Sequence, residues 1–370
     1  MVKIQQIKLP VSHTKEDLEN KIKKLLKISS GDLLSWTIRR QSLDARKKPE
    51  LFFVYTVEAE VKKEKKVNNK NIMSTTPVRF SYLKTNTEVS QRPVIVGSGP
   101  AGLFCAYYLV QAGLKPLIIE RGEDVENRLK TVEKFWETGE LKKESNVQFG
   151  EGGAGTFSDG KLNTLVKDTK GRNQEVLKIF VKFGAPEEIL YQQKPHLGTD
   201  MLIGIVKNMR NCIKNAGGEF CFSSKMTDIQ IENGKVSAIT VNDTEKVKTD
   251  CLVLAIGHSA RDTFTLLKDK NLPMEAKAFA VGLRAEHPQT LINLYQYGQE
   301  SSPYLGAASY KLTHKCKNNR GVYSFCMCPG GFVVNASSEE KRLAVNGMSY
   351  QNRGSANANS ALIVTVTPED

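Results

Sequence analysis

The sequence predicts an α/β fold: a parallel sheet with helices on its faces, preceded by a small α/β domain and joined to a strand-rich domain. Two features predict the parallel sheet. A short apolar strand at 94–96, a glycine-rich turn, a helix and a second strand follow one another within about 30 residues, the length of one βαβ unit. A further buried strand, Leu252–Ile256, ends at Gly257. Because strands dominate from about residue 277 onward, we expect domains at 1–90, 91–276 and 277–370.

Composition limits the class of protein. Of 370 residues, 40% are hydrophobic and 25% are charged, which excludes a collagenous, coiled-coil or wholly disordered chain. The longest uncharged run, Pro93–Leu114, is interrupted by Gly97-Ser98-Gly99-Pro100, so we expect no membrane span. The N-terminus has no apolar signal-peptide core. Seven scattered cysteines, an odd number, argue against a disulfide framework and favour a cytoplasmic protein.

Most of the net charge of +13 lies in the first quarter of the chain. Residues 1–90 contain 19 Lys and Arg against 10 Asp and Glu, an excess of nine positive charges. Such an excess can form a nucleic-acid surface or a solvated basic face. The basic run at 62–66 has no interleaved aromatic residue that could stack on bases, so we favour the solvated face and expect no high-affinity nucleic-acid binding.

Segment 1–90 is predicted to be the small α/β domain. Thr14 or Ser12 can cap a helix that reaches about Ile28, because four apolar residues of this stretch lie on one stripe: Leu18, Ile22, Leu25 and Leu26. The predicted strands are Leu33–Ile38 and Leu51–Val61, and the polar stretches 39–50 and 67–76 are predicted connections.

Apolar periodicity and glycine positions define the elements of 91–276. Strands Val94–Val96 and Leu117–Ile119 flank a predicted helix, Ala101–Ala112, that Gly113 ends. Three further helices are predicted: Val125–Trp136, Glu175–Phe183 and Asp200–Asn215. A glycine-rich loop is predicted at 150–161. The further predicted strands are Glu219–Ser223, Met226–Ile231 and Val236–Val241, and a hairpin turn at Asn233-Gly234 joins the last two.

The strongest functional signal is Gly97-Ser98-Gly99-Pro100-Ala101-Gly102, a G-x-G-x-x-G pattern that follows a strand and opens a helix. That context is the one that a dinucleotide-binding fingerprint requires. Gly97 permits the tight turn, Gly99 lets the backbone approach a pyrophosphate, and Gly102 lets the helix pack closely. The helix N-terminus presents N–H groups and a positive dipole end to phosphates.

An acidic residue completes this fingerprint. Glu120 ends the next strand, 18 residues after Gly102, and a carboxylate at that place can accept both ribose hydroxyls; Arg121 adjoins it. The alternative is a tight strand–helix turn beside a surface glutamate. We favour the nucleotide and predict a Rossmann-type domain.

Two further segments favour FAD over NAD. Thr249–Gly257 resembles the strand that closes flavoprotein Rossmann domains, T-D-x-x-V-x-A-x-G, in which small residues such as Ala255 and Gly257 pass close to the nucleotide. The alternative for this strand is ordinary core. The loop at 150–161 has five glycines in twelve residues, so Gly152 and Gly153 can lie against an isoalloxazine ring, with Ser158 and Lys161 as donors. The alternative for this loop is a flexible lid.

Longer motifs resemble a known family. They are Gly97–Gly102 and the stretches 152–164, 194–200, 277–289, 323–337 and 346–366, and the segment 39–48 fits the same family. Together they resemble a bacterial family of FAD-dependent dehydrogenases without an assigned substrate and, more distantly, the glutathione-reductase-like FAD superfamily. The resemblance implies a Rossmann-type FAD-binding domain with an inserted strand-rich substrate domain and a small N-terminal α/β domain.

The resemblance also implies a late glycine-rich segment that closes over the flavin, which this chain lacks before Asp370. We therefore expect a C-terminally truncated chain whose ADP subsite is formed and whose isoalloxazine subsite is open on one side. A cleft is expected to run from Gly99 toward Gly153 and Gly257. The apolar run Leu362–Val366 is expected to be an orphaned strand of the substrate domain.

The predicted function is an FAD-dependent oxidoreductase that transfers a hydride or electron pair through the flavin to or from a small-molecule substrate. A second G-x-G-x-x-G pattern that follows a predicted strand and opens a predicted helix is missing from the sequence, so NADH or NADPH is expected only as a transient electron donor. The alternatives are a flavoprotein that acts on RNA, as in tRNA modification, and a fragment that binds nothing.

Catalytic candidates are few. His258 follows Gly257 at the expected flavin edge, and Lys161 and Arg284 can hold an anionic substrate or a reduced flavin; each can equally be a structural or surface residue. For Cys326-Met327-Cys328 we favour packing over a redox or metal role, because a C-x-C ring is strained and further metal ligands are not evident.

Overall fold

The computed structural model describes residues 1–63, 69–76, 78, 80–83, 85, 89, 91–164 and 166–370. The end of the basic run at 62–66 and the start of the predicted loop at 67–76 lie outside these residues. Within the described part of the chain, no helix is long and apolar enough to cross a membrane.

The N-terminal domain is a sheet with one helix packed against it. Its elements are β1 (Val2–Pro10), α1 (Lys15–Leu26), β2 (Leu33–Lys47), β3 (Glu50–Val61) and β4 (Ile72–Ser74), with strand order β2-β3-β1-β4. Thr14 caps α1, and Asp17 completes a capping box by accepting from the Thr14 backbone N–H. The predicted stripe is confirmed, because Leu18, Ile22 and Leu26 are buried against the sheet.

Two connections predicted in this domain were wrong. The polar stretch 39–50 is mostly strand, because β2 continues to Lys47 and pairs antiparallel with β3. Since β2 is an edge strand, it tolerates the charged residues that favoured a loop in the sequence. Part of 67–76 forms β4, which is a strand only because it pairs with β1, and β1 itself was not predicted.

The central domain contains the predicted parallel sheet. Its strands are β5 (Val94–Val96), β6 (Leu117–Ile119), β7 (Glu219–Cys221) and β11 (Leu252–Leu254), in the order β11-β5-β6-β7. The helices of this domain are α2 (Pro100–Gln111), α3 (Val125–Thr138), α4 (Arg172–Lys182), α5 (Thr199–Asn215) and α6 (Arg261–Asp269). Helices α2, α4 and α5 bury a large apolar cluster against one face of the parallel sheet. Helix α6 was not predicted from the sequence.

The other face of the parallel sheet carries an antiparallel meander. It consists of β8 (Met226–Glu232), β9 (Lys235–Val241) and β10 (Glu245–Lys248) in the order β10-β9-β8. The predicted turn Asn233-Gly234 joins β8 to β9, and both residues have positive φ, 53° and 74°, as a type I′ hairpin turn requires. Apolar residues of the meander pack with α6 beneath the sheet.

The C-terminal domain is strand-rich, as predicted. Its elements are β12 (Phe279–Pro288), α7 (Gln289–Tyr297), β13 (Thr313–Lys315), β14 (Gly321–Cys328), β15 (Phe332–Asn335), β16 (Val345–Met348) and β17 (Asn357–Val366). One sheet has the order β12-β17-β14-β13, and β15 pairs with β16. The expectation of an orphaned strand at Leu362–Val366 was wrong, because β17 pairs with β12 on one side and β14 on the other.

Candidate nucleotide-binding site

The carboxyl ends of β5, β6 and β11 meet at one edge of the parallel sheet, where open α/β sheets bind their ligands. A cavity of about 540 Å³ lies at this edge. The predicted site residues that line it are Gly97, Gly99, Pro100, Ala101, Glu120, Arg121, Gly153, Ala255, Gly257 and His258. The expected cleft from Gly99 toward Gly153 and Gly257 is therefore present.

Two glycines of the fingerprint are required by close backbone packing. Gly97 has a φ of +101°, and a Cβ atom there would overlap the carbonyl oxygen of Ala255. A Cβ at Gly102 would overlap the carbonyl oxygen of Gly97, so only glycine lets α2 begin this close to β5. The strand, turn and helix are thus held in the arrangement that the fingerprint predicts.

The N-terminus of α2 is suited to an anion. Gly99 precedes the helix, Pro100 occupies its first position, and no side chain in the described residues caps it. Its first turn also contains no acidic residue. Because Gly99 and Ala101 line the cavity, the positive end of this helix points to a place where phosphate groups can lie.

Glu120 is bonded to its own protein surroundings. Its side chain is buried, and its two oxygens accept from the backbone N–H and hydroxyl of Ser98, both at 2.8 Å, from Gly122 N at 2.9 Å and from Gly150 N at 3.1 Å. A carboxylate offers about four acceptor positions, so these bonds use them. Glu120 therefore links three loops of the site, and a ribose hydroxyl would have to share or replace one of these donors.

Arg128 organises the glycine-rich loop beside the fingerprint. Its guanidinium is fully buried and donates to five loop carbonyls at 2.6–3.2 Å: those of Asn146, Val147, Gly150, Glu151 and Gly153. Burial lowers the pKa of Arg128 to about 10, so it remains charged at neutral pH. The sequence contained one signal for this role, because Arg128 lies on the apolar stripe of α3 with Val125, Val132 and Phe135.

The glycine-rich loop meets the fingerprint directly. Gly153 has a φ of +64°, and a Cβ atom built on it would lie 3.0 Å from Gly99 Cα. Gly152 N donates to the carbonyl oxygen of Ser98 at 2.9 Å, which joins the two loops. The α2 N-terminus and the loop consequently form one continuous wall of the cavity.

A buried acid lies under this wall. The Glu151 carboxylate is fully buried, accepts from Arg210 at 2.7 Å and from Val125 N at 2.8 Å, and has one oxygen without a partner among the described residues. Burial raises the pKa of Glu151 to about 7, with Arg210 opposing the shift. Arg210 also pairs with Glu126 at 2.7 Å, so the loop is anchored to α3 and α5 through charges.

Comparison with known proteins supports a dinucleotide site. The chain is 51% identical over 376 aligned positions to an uncharacterized protein of Clostridium beijerinckii (strain ATCC 51743 / NCIMB 8052); the match covers 100% of this chain and 70% of that protein. This chain belongs to the family of that protein. Residues 95–146 match an NAD(P)-binding Rossmann-like domain, residues 278–370 match the C-terminal domain-like region of FAD-dependent proteins, and residues 1–60 match a domain of unknown function.

Solved structures with detectable similarity are more distant. Thermovibrio ammonificans THI4 is 19% identical, with 50% of this chain and 64% of that chain covered and a TM-score of 0.34. The flavin-dependent brominase Bmp2 is 14% identical, with 75% and 56% covered and a TM-score of 0.37. Lactococcus lactis thioredoxin reductase is 18% identical, with 45% and 36% covered and a TM-score of 0.25. The chain spans less than two thirds of each of these proteins.

The remaining predicted residues of the cavity have clear partners. Arg121 pairs with Glu144 at 2.6 Å and Asp262 at 2.7 Å, and its guanidinium lies 4.2 Å from the centre of the Phe149 ring. His258 is exposed in the cavity, with its Nε2 3.2 Å from the Ser259 hydroxyl. These contacts place a fixed cation near Glu120 and an accessible imidazole beside Gly257.

Several predicted residues do not line the nucleotide cavity. Ser98, Gly102 and Gly152 are packed behind it, and the Ser158 hydroxyl donates to Gly155 O at 3.0 Å. Lys161 forms an ion pair with Asp159 and donates to the carbonyl of Met327. Arg284 donates to Asn359 Oδ1 at 2.7 Å and Cys326 O at 3.2 Å in the C-terminal domain.

The cysteines carry no disulfide or metal arrangement in the described residues. All seven are free, and no group of three His, Cys, Asp or Glu side chains there is arranged to hold a metal ion. Cys328 is buried and donates from its Sγ to Asp159 at 3.1 Å. Burial raises the pKa of the Cys328 thiol, which disfavours the reactive thiolate.

Proposed function

We propose that this chain binds FAD in the cavity at the edge of the parallel sheet and belongs to an FAD-dependent oxidoreductase. The observation that carries the proposal is the joint wall of Gly99, Gly153 and Gly257, in which a helix N-terminus, a glycine-rich loop and the last parallel strand face one space. The match of residues 278–370 to FAD-dependent proteins supports FAD as the dinucleotide. NADH or NADPH is proposed as a transient electron donor only.

The residues of the cavity fit the parts of the cofactor. The N-terminus of α2, which no side chain of the described residues caps, would hold the pyrophosphate at Gly99 and Ala101. Glu120 and Arg121 would face the adenosine ribose, and the small residues Ala255 and Gly257 would leave room for the nucleotide. FAD, when bound, would supply transfer of a hydride or an electron pair between donor and substrate.

His258 is the proposed group for handling a proton near the cofactor. It lines the cavity and is exposed there, whereas Lys161 and Arg284 are bonded elsewhere in the protein. The substrate is proposed to be a small molecule.

Titration of the purified protein with FAD tests the proposal. Quenching of flavin fluorescence would report saturable binding in the wild type. The informative variant is Gly99→Leu, because a Cβ at Gly99 meets only Gly153 Cα, at 3.7 Å, so the side chain fits the apoprotein but fills the space of the pyrophosphate. The matched control is Gly31→Leu, since nothing lies within 4 Å of a Cβ at that glycine.

The expected result is binding by the wild type and by Gly31→Leu and loss of binding by Gly99→Leu, with circular dichroism and melting temperature retained in all three. Absence of saturable FAD binding by the wild type, or undiminished binding by a folded Gly99→Leu protein, would overturn the proposal.

A further inference from the structure

A second cavity, of about 440 Å³, lies where the three domains meet. Gln41 of β2 contributes from the N-terminal domain, Gln193 and Lys194 from the central domain, and Tyr297, Ser309 and Arg353 from the C-terminal domain. We call it the junction cavity. It shares no lining residue with the nucleotide cavity.

The junction between the domains is held by backbone hydrogen bonds. Gln41 N donates to Tyr191 O at 2.8 Å, and Gln193 N donates to Gln41 O at 2.9 Å, so β2 is extended by a short strand-like contact from the central domain. Lys48 adds a hydrogen bond to the carbonyl of Tyr295. These bonds make the N-terminal domain a fixed wall of the cavity.

The charges of this cavity are unbalanced. Its lining contains the cations of Lys194 and Arg353 and, among the described residues, no Asp or Glu. Lys194 Nζ donates to the uncharged hydroxyl of Ser309 at 2.9 Å. Partial burial, together with Arg353 and Lys161, lowers the pKa of Lys194, as expected of an ammonium group that faces other cations.

The charges behind the cavity do not correct this imbalance. Asp159 is buried and pairs with both Arg353, at 3.2 Å, and Lys161. Arg353 and Lys161 thus share the Asp159 carboxylate, and Lys194 has no carboxylate partner among the described residues. The neighbouring His196 adds no charge of either sign, because burial and Arg353 lower its pKa to about 4 and keep it neutral at pH 7.

Arg353 has hydrogen-bonding capacity left. One of its terminal nitrogens, Nη2, binds Asp159, and its side chain remains 18% exposed, while its buried Nε has no partner in the described part of the chain. The amide side chain of Gln193 and the hydroxyl of Tyr297 add neutral donors to the lining, and Leu43 and Phe53 add apolar surface. The Gln41 amide also lines the cavity, with its Nε2 donating to the Tyr55 hydroxyl at 3.0 Å. Cations, neutral donors and apolar walls together are suited to an oxyanion carried by a small organic molecule.

We propose that the junction cavity binds a small molecule through a carboxylate or phosphate group held between Lys194 and Arg353. The site is separate from the nucleotide cavity, and its test does not depend on flavin binding. It also gives the N-terminal domain a role, because Gln41 and its neighbours on β2 and β3 close one side of the cavity.

Two probes distinguish the chemical sources of such an anion: sodium succinate for a dicarboxylate and sodium phosphate for a phosphate. Each is titrated at constant ionic strength, set with sodium chloride, while the melting temperature of the full chain is recorded. The test variant is Lys194→Gln, which removes a cation from an exposed side chain. The control is Lys235→Gln, which removes the same charge from the exposed β8–β9 hairpin.

We expect at least one probe to raise the melting temperature of the wild type and of Lys235→Gln beyond the effect of sodium chloride. Lys194→Gln is expected to lose about tenfold in apparent affinity, the cost of one charged hydrogen bond. Stabilisation by succinate identifies a carboxylate ligand, and stabilisation by phosphate identifies a phosphate ligand. If neither probe exceeds sodium chloride, or if Lys194→Gln and Lys235→Gln respond alike, the proposal is overturned.

A second variant keeps the test valid if Lys194→Gln fails to fold. Gln193→Glu places a carboxylate on an exposed position of the lining and leaves Lys194 and Arg353 intact. Repulsion by this charge should weaken binding of the same probe. Unchanged binding to a folded Gln193→Glu protein would contradict the proposed location of the anion.

Discussion

The nucleotide cavity and the junction cavity are built in opposite ways. The first is built around backbone features, namely glycines, a helix N-terminus and the carboxyl ends of parallel strands. The second is formed by side chains from three domains, and two cations dominate it. The proposed phosphate end of the nucleotide cavity relies on the oriented N–H groups of a helix N-terminus, and its charged side chains Glu120 and Arg121 already have protein partners. The positive charge of the junction cavity comes from Lys194 and Arg353. A backbone site tolerates few changes of shape, and a side-chain site depends on individual charges.

The largest effect is expected for the buried cation Arg128. Its replacement tests whether the shape of the nucleotide cavity depends on this one charge. Arg128→Ala would leave five loop carbonyls without their donor, so the free energy of unfolding should fall by about 3–5 kcal/mol. Urea unfolding measures this change. Lys130→Ala, at an exposed position on the same helix, is the control and should stay within about 0.5 kcal/mol of the wild type. A small effect of Arg128→Ala would show that the loop holds its own shape.

The next prediction concerns Glu120, whose four hydrogen bonds compete with the proposed ribose contact. Glu120→Gln replaces one acceptor oxygen with a donor, so some of its N–H partners lose their acceptor, and stability should fall by about 1–3 kcal/mol. FAD affinity should fall by a similar free energy. Urea unfolding and fluorescence titration separate the two roles, since weaker FAD binding at unchanged stability would assign Glu120 to the ribose alone.

A third prediction probes the contact between the two glycine loops. Gly153→Ala adds a Cβ 3.0 Å from Gly99 Cα at a residue with positive φ, so we expect a loss of about 1–2 kcal/mol of stability. FAD binding should weaken as well, because the glycine-rich loop and the fingerprint turn would be pushed apart. Gly155→Ala is the neighbouring control, since nothing lies within 4 Å of its Cβ. Equal stability and equal FAD binding of the two variants would mean that the glycine-rich loop and the fingerprint turn are not in contact.

The raised pKa of Glu151 predicts that the stability of the protein depends on pH. Its pKa is raised to about 7 in the folded protein from its ordinary value of 4.5, so the folded state binds more protons than the unfolded state between these values. The contribution of Glu151 is therefore most favourable below pH 4.5 and is lost as pH rises toward 7. The difference in unfolding free energy between wild type and Glu151→Gln, measured by urea unfolding, should decrease across this window and level off above it. A constant difference would show that Arg210 keeps Glu151 ionised throughout.

The smallest expected effect concerns nucleic acid. The positive charge of the N-terminal domain should give only weak binding to tRNA in a gel-shift assay, and that binding should fall steeply as salt is added. High-affinity binding that persists at raised salt would favour the alternative of a flavoprotein that acts on RNA. It would also show that charged surfaces outside the junction cavity recognise ligands.

The features that sequence alone predicted are those set by residues near one another in the chain. The β5–α2–β6 unit, the cap of α1 by Thr14 and the turn at Asn233-Gly234 all matched the structure. Each depends on local steric or hydrogen-bonding rules: positive φ at glycine, a side-chain oxygen at a helix start, or apolar residues at a regular spacing. The same rules placed Gly99, Gly153 and Gly257 on one cleft, because parallel strands end at one edge.

Tertiary structure decided the features that depend on distant partners. The stretch 39–50 is a strand because β3 pairs with it, and β17 is central because β12 and β14 flank it. Glu120 and Arg128 acquire their roles from loop groups up to 30 residues away, and the junction cavity joins residues from Gln41 to Arg353. Local patterns do not report these contacts, because burial and charge balance arise only when separate segments pack together.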